Sequence, residues 1–201
     1  MRATVTPLRP RAASETRVRP AEPDAALVVR AASGEATARR KLYERHVGYI
    51  AGMTKRMLRS IEGSDDIVQD AFVLAFQKLS TLRDGAAFRP WLATIAVRLV
   101  RQRIRYARVL RMFGIHLAID DVPLHDLAHE DLSAEARLEL RAIDAALAAL
   151  PASQRVAWMM RNVEGEPLEL VADACGCSLA TVKRWIAAAD ARVRACAQEE
   201  P

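Results

Sequence analysis

Residues 150–193 read LPASQRVAWMMRNVEGEPLELVADACGCSLATVKRWIAAADARV, and the order of apolar and turn residues within them decides the fold. Leu168, Val171, Ala172 and Cys175 recur at i, i+3, i+4 and i+7, the apolar face of a short helix. Gly176 follows where a turn between two crossing helices calls for a residue that tolerates positive φ. Ser178 is placed to cap the next helix by accepting a hydrogen bond from its free N–H groups. In that helix Val182, Trp185, Ile186 and Ala189 point inward, which leaves Thr181, Lys183 and Arg184 near its exposed N-terminal half. The pattern predicts a helix-turn-helix whose second helix enters the DNA major groove, with the small Ala172 at the close crossing. An ordinary helical hairpin packed into a bundle has the same periodicity and is the alternative for this segment taken alone.

The composition extends the helical reading to the whole chain. The 201 residues suffice for one large or two small domains with real cores. Half of them are hydrophobic, only eight are glycine, and no stretch alternates β-branched residues with period two. A formal charge of +5 and a pI of about 9.5 point to a polyanionic partner. Cys175, Cys177 and Cys196 form no regular framework, which fits a reducing cytoplasm rather than a disulfide scaffold. The spacing of Cys175 and Cys177 suits neither a zinc knuckle nor a redox dithiol, so both read as small packing residues. No run of eighteen apolar residues and no secretory signal are present, so no membrane insertion and a cytoplasmic location are expected. No Ser/His/Asp, Cys/His or paired-carboxylate arrangement sits on an identifiable scaffold, and there is no glycine-rich phosphate loop. The chain is therefore expected not to be an enzyme and to need no cofactor or metal.

Upstream of the helix-turn-helix, Leu138, Ile143, Ala146, Leu147 and Leu150 predict a helix over 134–150, and Pro151 opens the next, Ser153 to Asn162. Residues 112–133 lose the periodicity and carry Asp120, Asp121, Asp126, Glu130 and Asp131, an extended, flexible acidic linker between two domains. His125 and His129 would share a helix face there, but no third ligand has suitable spacing and they do not read as a metal site. Before the linker lies a long helix from Trp91 to about Arg111, with Pro90 in its first turn and Leu92, Ile95, Ala96 and Leu99 inward. Arg98, Arg101, Arg105 and Arg108 make one basic stripe on it, and Phe88 to Arg111 holds seven arginines and no acid. A solvated face normally mixes both signs. A one-sign stripe beside exposed aromatics supplies cations for phosphate and rings for unstacked bases; an idle basic surface is the blander alternative.

Further upstream, DDIVQDAFVLAFQKL (65–79) places Ile67, Ala71, Leu74, Ala75 and Leu79 on one face and Asp66, Gln69 and Asp70 outward. Acids in the first turn suit the helix dipole, which accounts for Asp65 and Asp66 but not for Gln69 and Asp70. A helix from Glu35 to Arg59 turns Ala38, Leu42, Tyr43, Val47, Ile50, Met53, Thr54 and Met57 inward, with His46 a packed or surface residue. Asp24 is expected to cap a first helix ending at Gly34. Residues 1–23, with prolines at 7, 10, 20 and 23, read as a disordered basic arm.

Two separated blocks together resemble one family. DDIVQDAFVLAFQKL…FRPWLATIAVRLV is similar to domain two of the bacterial extracytoplasmic-function sigma factors of the sigma-seventy superfamily, and LPASQRVAWMMRNVEGEPLELVADACGCSLATVKRWI to their domain four. The resemblance covers roughly residues 25–195 and implies an all-α protein with a domain-two bundle at 24–111, an acidic linker at 112–133 and a domain-four helix-turn-helix bundle at 134–197. It implies a detachable promoter-specificity subunit of RNA polymerase, partnered by core polymerase (the β′ clamp helices and the β subunit), promoter DNA and an anti-sigma factor. By position, Asp66, Gln69 and Asp70 would dock on the β′ clamp helices. Phe88, Arg89, Trp91 and Arg98 would engage the minus-ten element while Arg101 and Arg105 hold phosphate. Thr181, Lys183 and Arg184 would enter the major groove at the minus-thirty-five element, and the linker would thread the RNA-exit path. The chain departs from the family pattern at Arg98, where Asn is common, at Trp185, which replaces Arg, and at Ala187, Ala188 and Asp190, where basic residues usually continue. Two other readings remain at this level. A stand-alone helix-turn-helix regulator would leave the block from Phe88 to Arg111 without use, and a degenerate sigma-like decoy would bind polymerase or an anti-sigma factor without reading promoters.

Overall fold

The computed structural model describes residues 22–117 and 133–198. Every regular element among them is helical, and the helices form two domains. The first holds α1 (Asp24–Ala32), α2 (Ala36–Leu58), α3 (Ser64–Gln77), two 3-10 turns (Leu79–Thr81 and Gly85–Ala87) and α4 (Phe88–Met112). The second holds α5 (Ala134–Ala148), α6 (Ala152–Asn162), α7 (Leu168–Cys175) and α8 (Leu179–Gln198). No helix among the described residues is long and apolar enough to cross a membrane.

The first domain is built on the apolar faces of α2 and α4. Leu42, Ile50, Met53 and Met57 of α2 meet Leu92, Ala96, Val97 and Val100 of α4, all fully buried, and α3 closes the bundle with Ile67, Ala71, Phe72 and Ala75. The 3-10 turn before α4 needs Gly85, because a Cβ there would lie 2.8 Å from the Cα of Ala25 in α1. Asp84 accepts a hydrogen bond from the Ala86 N–H at 2.9 Å and fixes that turn.

The second domain follows the expected pattern closely. Gly176 ends α7 with φ 56°, in the left-handed region where a side chain is strained. The Ser178 hydroxyl accepts from the Thr181 N–H at 3.2 Å, the expected cap of α8. Val182, Ile186 and Ala189 are buried, Trp185 is half-buried against the core, and Val171, Ala174 and Cys175 face them from α7. Cys175 and Cys177 are free thiols packed in or against this core, and burial pushes the Cys175 thiol up to about 11.

Several expectations need correction. Asp24 is not a cap: Pro23 holds that position, α1 ends at Ala32, and the Asp24 carboxylate instead pairs with Arg45 and with His46 Nε2, the latter at 2.8 Å. His46 is buried beside Phe88 at a ring separation of 5.3 Å, as a packing residue. Tyr43 is 43% exposed, because its ring lies over Phe72 (4.7 Å) at the rim of the bundle rather than inside it. Leu138 is 52% exposed, since only the second half of α5, with Ala146 and Leu147, reaches the core. Glu22 belongs to the first domain rather than to an arm, bonding Arg30 and Lys41. Met112 ends α4 rather than opening a linker, and Ser133 caps α5 by accepting from Ala136 N–H at 3.2 Å. The basic arm over 1–21 and the linker acids Asp120, Asp121, Asp126, Glu130 and Asp131, with His125 and His129, lie outside the described residues.

Candidate nucleic-acid interface

Three faces carry the candidate residues. On α3, Asp66, Gln69 and Asp70 are exposed within the first two turns, and none of them forms an ion pair among the described residues. Beside them runs a groove of about 470 Å³ between α2 and α3, lined by Tyr43, Val47, Val68, Gln69 and Phe72. An acidic ridge flanking an apolar groove is the surface that a basic amphipathic helix fits.

On α4 the arginine stripe is present as expected, but it is divided. Arg105 and Arg108 are exposed, and with Arg101, Arg111, Ile104 and Ser153 they line a groove of about 410 Å³ against the N-terminus of α6. The guanidinium groups of Arg105, Arg108 and Arg111 beside the positive end of a helix make a strongly anion-attracting groove. The other half of the stripe is bonded directly to α7. Arg98 Nη2 donates to both carboxylate oxygens of Asp173 on α7, at 2.8 and 2.9 Å. Arg101 Nη1 donates to the Ala174 carbonyl at 3.2 Å. Arg89 stacks its guanidinium on the Tyr49 ring, 4.1 Å from the centroid. The Tyr49 hydroxyl in turn faces Glu166 at 3.5 Å. Burial, with Glu164 and Glu166 adding negative charge, pushes the Tyr49 hydroxyl up to about 12, and burial raises the Glu166 carboxyl.

Phe88 must be withdrawn from the DNA-contacting set. It is fully buried between His46 and Trp91 (5.3 and 6.1 Å between rings), because α4 begins at Phe88 itself rather than at Trp91. Trp91 is half-buried and lines a crevice of about 280 Å³ with Pro90, Thr94 and Arg98, roofed by Leu170 and Asp173 of α7. The exposed rings stand instead at the far end of α4, Tyr106 within it and Phe113 just past it, at 55% and 75% exposure. Tyr106 lies within the basic stretch, and its place next to the buried Ala107 on the helix would have marked it.

On α8 the expected trio lies in the first two turns of the helix. Lys183 and Arg184 are exposed, and Thr181, partly covered, exchanges a hydrogen bond of 2.9 Å with the Ser178 hydroxyl. The departures at Trp185 and Asp190 have local causes: Trp185 packs on the core, and Asp190 accepts a 2.7 Å hydrogen bond from Trp158 Nε1 that ties α8 to α6. The exposure of Ala187 and Ala188 has no structural explanation.

Sequence reasoning missed how the domains meet. Arg59, in a left-handed conformation at the end of α2 (φ 51°), is 8% exposed and ion-paired with Asp144 of α5 at 2.6 Å. Arg56 pairs with the equally covered Glu164 at 2.6 Å. The apolar core runs unbroken from Leu27 in α1 to Ile186 in α8.

Residues 42–109 match the sigma-70 region 2 family and residues 140–192 the sigma-70 region 4 family. The chain is 31% identical over 176 residues to the RNA polymerase sigma factor NccH of Alcaligenes xylosoxydans xylosoxydans, covering 87% of this chain and 95% of that one. It is 31% identical over 149 residues to the "Probable RNA polymerase sigma factor RfaY" of Xanthomonas campestris pv. campestris, covering 72% of this chain but only 36% of that longer relative. Among solved structures, CnrH in complex with the cytosolic domain of CnrY is similar with a TM-score of 0.59 at 25% identity, over 89% of this chain and 99% of that one.

Proposed function

Since this chain belongs to the extracytoplasmic-function sigma factors of the sigma-70 family and is an alternative sigma factor, we propose that it docks on core RNA polymerase through α3 and reads promoter DNA through α4 and α8. In the docking step, Asp66, Gln69 and Asp70 meet the clamp helices of the β′ subunit, with the apolar groove beside them taking the partner's nonpolar side chains. In the minus-ten step, Arg98, Arg101 and Arg105 hold backbone phosphate, and Trp91 and Arg89 flank the strand as it opens. In the minus-thirty-five step, Lys183 and Arg184 read base edges while Thr181 fixes position at the helix N-terminus. The helix limits support slightly wider domains than the sequence suggests, 22–112 for polymerase and minus-ten binding and 133–198 for minus-thirty-five binding. The protein works in the cytoplasm with core polymerase, and an anti-sigma factor is an expected partner.

The observation that carries this reading is the arginine stripe of α4. Seven arginines without an acid over Phe88–Arg111 have no use in a stand-alone helix-turn-helix regulator, whose contacts all come from the second domain. The test uses the acidic face, because promoter sequence is then irrelevant. Asp70→Lys reverses a charge on an exposed site and is expected to abolish binding to purified core polymerase at unchanged thermal stability. Binding at wild-type affinity would contradict the assignment of α3.

A further inference from the structure

The promoter contacts proposed above leave Arg108 and Arg111 without a role. With Arg101 and Arg105 they line the groove of about 410 Å³ between α4 and the start of α6, and none of its lining residues is acidic. Other exposed arginines of this molecule are matched: Arg30 with Glu22 and Glu35, Arg40 with Glu44, Arg98 with Asp173. Arg105, Arg108 and Arg111 are exposed and form no ion pair among the described residues. Arg101 uses one nitrogen on the Ala174 carbonyl, which leaves its other donors for the groove. Four like charges in one concavity repel one another and are relieved only by an anion. The opposite wall adds donors of the same sign. The first hydrogen bonds of α6 are donated by Gln154 and Arg155 to the Pro151 carbonyl, so the Ala152 and Ser153 N–H groups lie ahead of the ladder. That helix start has no side-chain cap and no acid in its first turn.

We infer that this groove is a binding site for a small oligophosphate anion, of the chain length of a triphosphate. Consecutive phosphates present acceptor oxygens on every side, and forked guanidinium groups meet them two at a time. An end phosphate takes the free N–H groups at the start of α6. The volume is that of a small-molecule site, and the floor is apolar, with Ile104 and the buried Ala107 beside Pro151. Arg108 and Arg111 line this groove and not the crevice that holds Trp91. Inorganic polyphosphate and a nucleoside triphosphate carry the same anionic chemistry; only the second has a ring to lay on Ile104 and Pro151. Because Arg101 and Arg105 are shared, a bound oligophosphate withholds them from promoter DNA. That consequence rests on the phosphate role given to them above, whereas the site itself does not.

The test titrates the full chain, free of polymerase, with sodium tripolyphosphate and with ATP in magnesium-free buffer at fixed ionic strength, followed by calorimetry. Tripolyphosphate is expected to bind at a single site and to raise the melting temperature as its concentration rises. Arg108→Ala combined with Arg111→Ala should weaken that binding at least about tenfold, since two charge-assisted contacts are lost. Lys78→Ala combined with Arg83→Ala removes the same charge from two residues outside the groove and should change it by less than about twofold. All four side chains are exposed, so both variants keep the fold. Tighter binding of ATP than of tripolyphosphate assigns a nucleotide to the groove, and equal binding a bare oligophosphate. Failure of both ligands to bind, or equal weakening by the two double variants, would overturn the site. If a short oligothymidylate alone binds, and loses affinity with Arg108→Ala and Arg111→Ala, the groove belongs to the DNA path and the proposal fails. Tripolyphosphate binding by a chain that directs no transcription supports the site and contradicts the promoter mechanism.

Discussion

The two helices proposed to face DNA are prepared in opposite ways. On α8, Lys183 and Arg184 project into solvent, ready for contact. On α4, Arg98 and Arg101 are bonded to Asp173 and Ala174, and Trp91 sits beneath α7. The same residue types at similar spacing are therefore available in one domain and covered in the other. The difference arises from what packs on each helix: α8 buries one face against α5 and α6 and leaves the other free, whereas α4 carries the second domain on the very face that bears its charge. A stripe of charge read from sequence locates a binding face but not whether that face is open.

The largest effect that sharpens this contrast is expected at Phe88. As a core residue rather than a DNA contact, its replacement by Ala should cost about 3–5 kcal/mol of stability, read by urea denaturation. A fully stable variant that binds DNA poorly would return Phe88 to the interface. Next come Lys183 and Arg98, compared in the free chain. Lys183→Ala should weaken binding to a minus-thirty-five duplex by about 1–3 kcal/mol if the side chain reads a base. Arg98→Ala should change binding of the free chain to single-stranded DNA by less than about 1 kcal/mol, because that arginine is already occupied. A loss at Arg98 as large as that at Lys183 would show the two faces to be equally open.

The smallest effect concerns pH. Burial raises the Glu166 carboxyl above the ordinary glutamate value of 4.5. Between 4.5 and the raised value the folded chain keeps a proton that the unfolded chain has released, so this contribution is fully present below 4.5 and is lost as pH rises through the folded pKa. Glu166→Gln, neutral throughout, should flatten that part of the stability profile relative to wild type. Parallel profiles for the two proteins would place Glu166 outside the domain interface.

Local chemistry was legible in the sequence wherever it acts over one or two helix turns. Gly176, Ser178 and the Val182–Ile186–Ala189 face specified the helix-turn-helix, since each does its work within a few residues. The outward positions of Asp66, Gln69 and Asp70 were equally plain. Periodicity failed where a helix begins or ends. One extra turn at the start of α4 carries Phe88 into the core, and the first half of α5 extends past the core, exposing Leu138. Contacts between the domains left no signal at all. Arg98 and Asp173 are 75 residues apart, and Arg59 and Asp144 are 85 apart, so only the folded chain brings them together. Nor does a lone arginine at a helix end announce a buried pair, because arginines at such sites are usually solvated.

The most direct test of the central claim is run-off transcription on fragmented genomic DNA with purified core polymerase, with and without this protein. The account predicts new start sites that depend on the protein and share two spaced upstream motifs, one for α4 and one for α8. Binding to core polymerase without any new start site would contradict it and leave a sigma-like protein that does not read promoters.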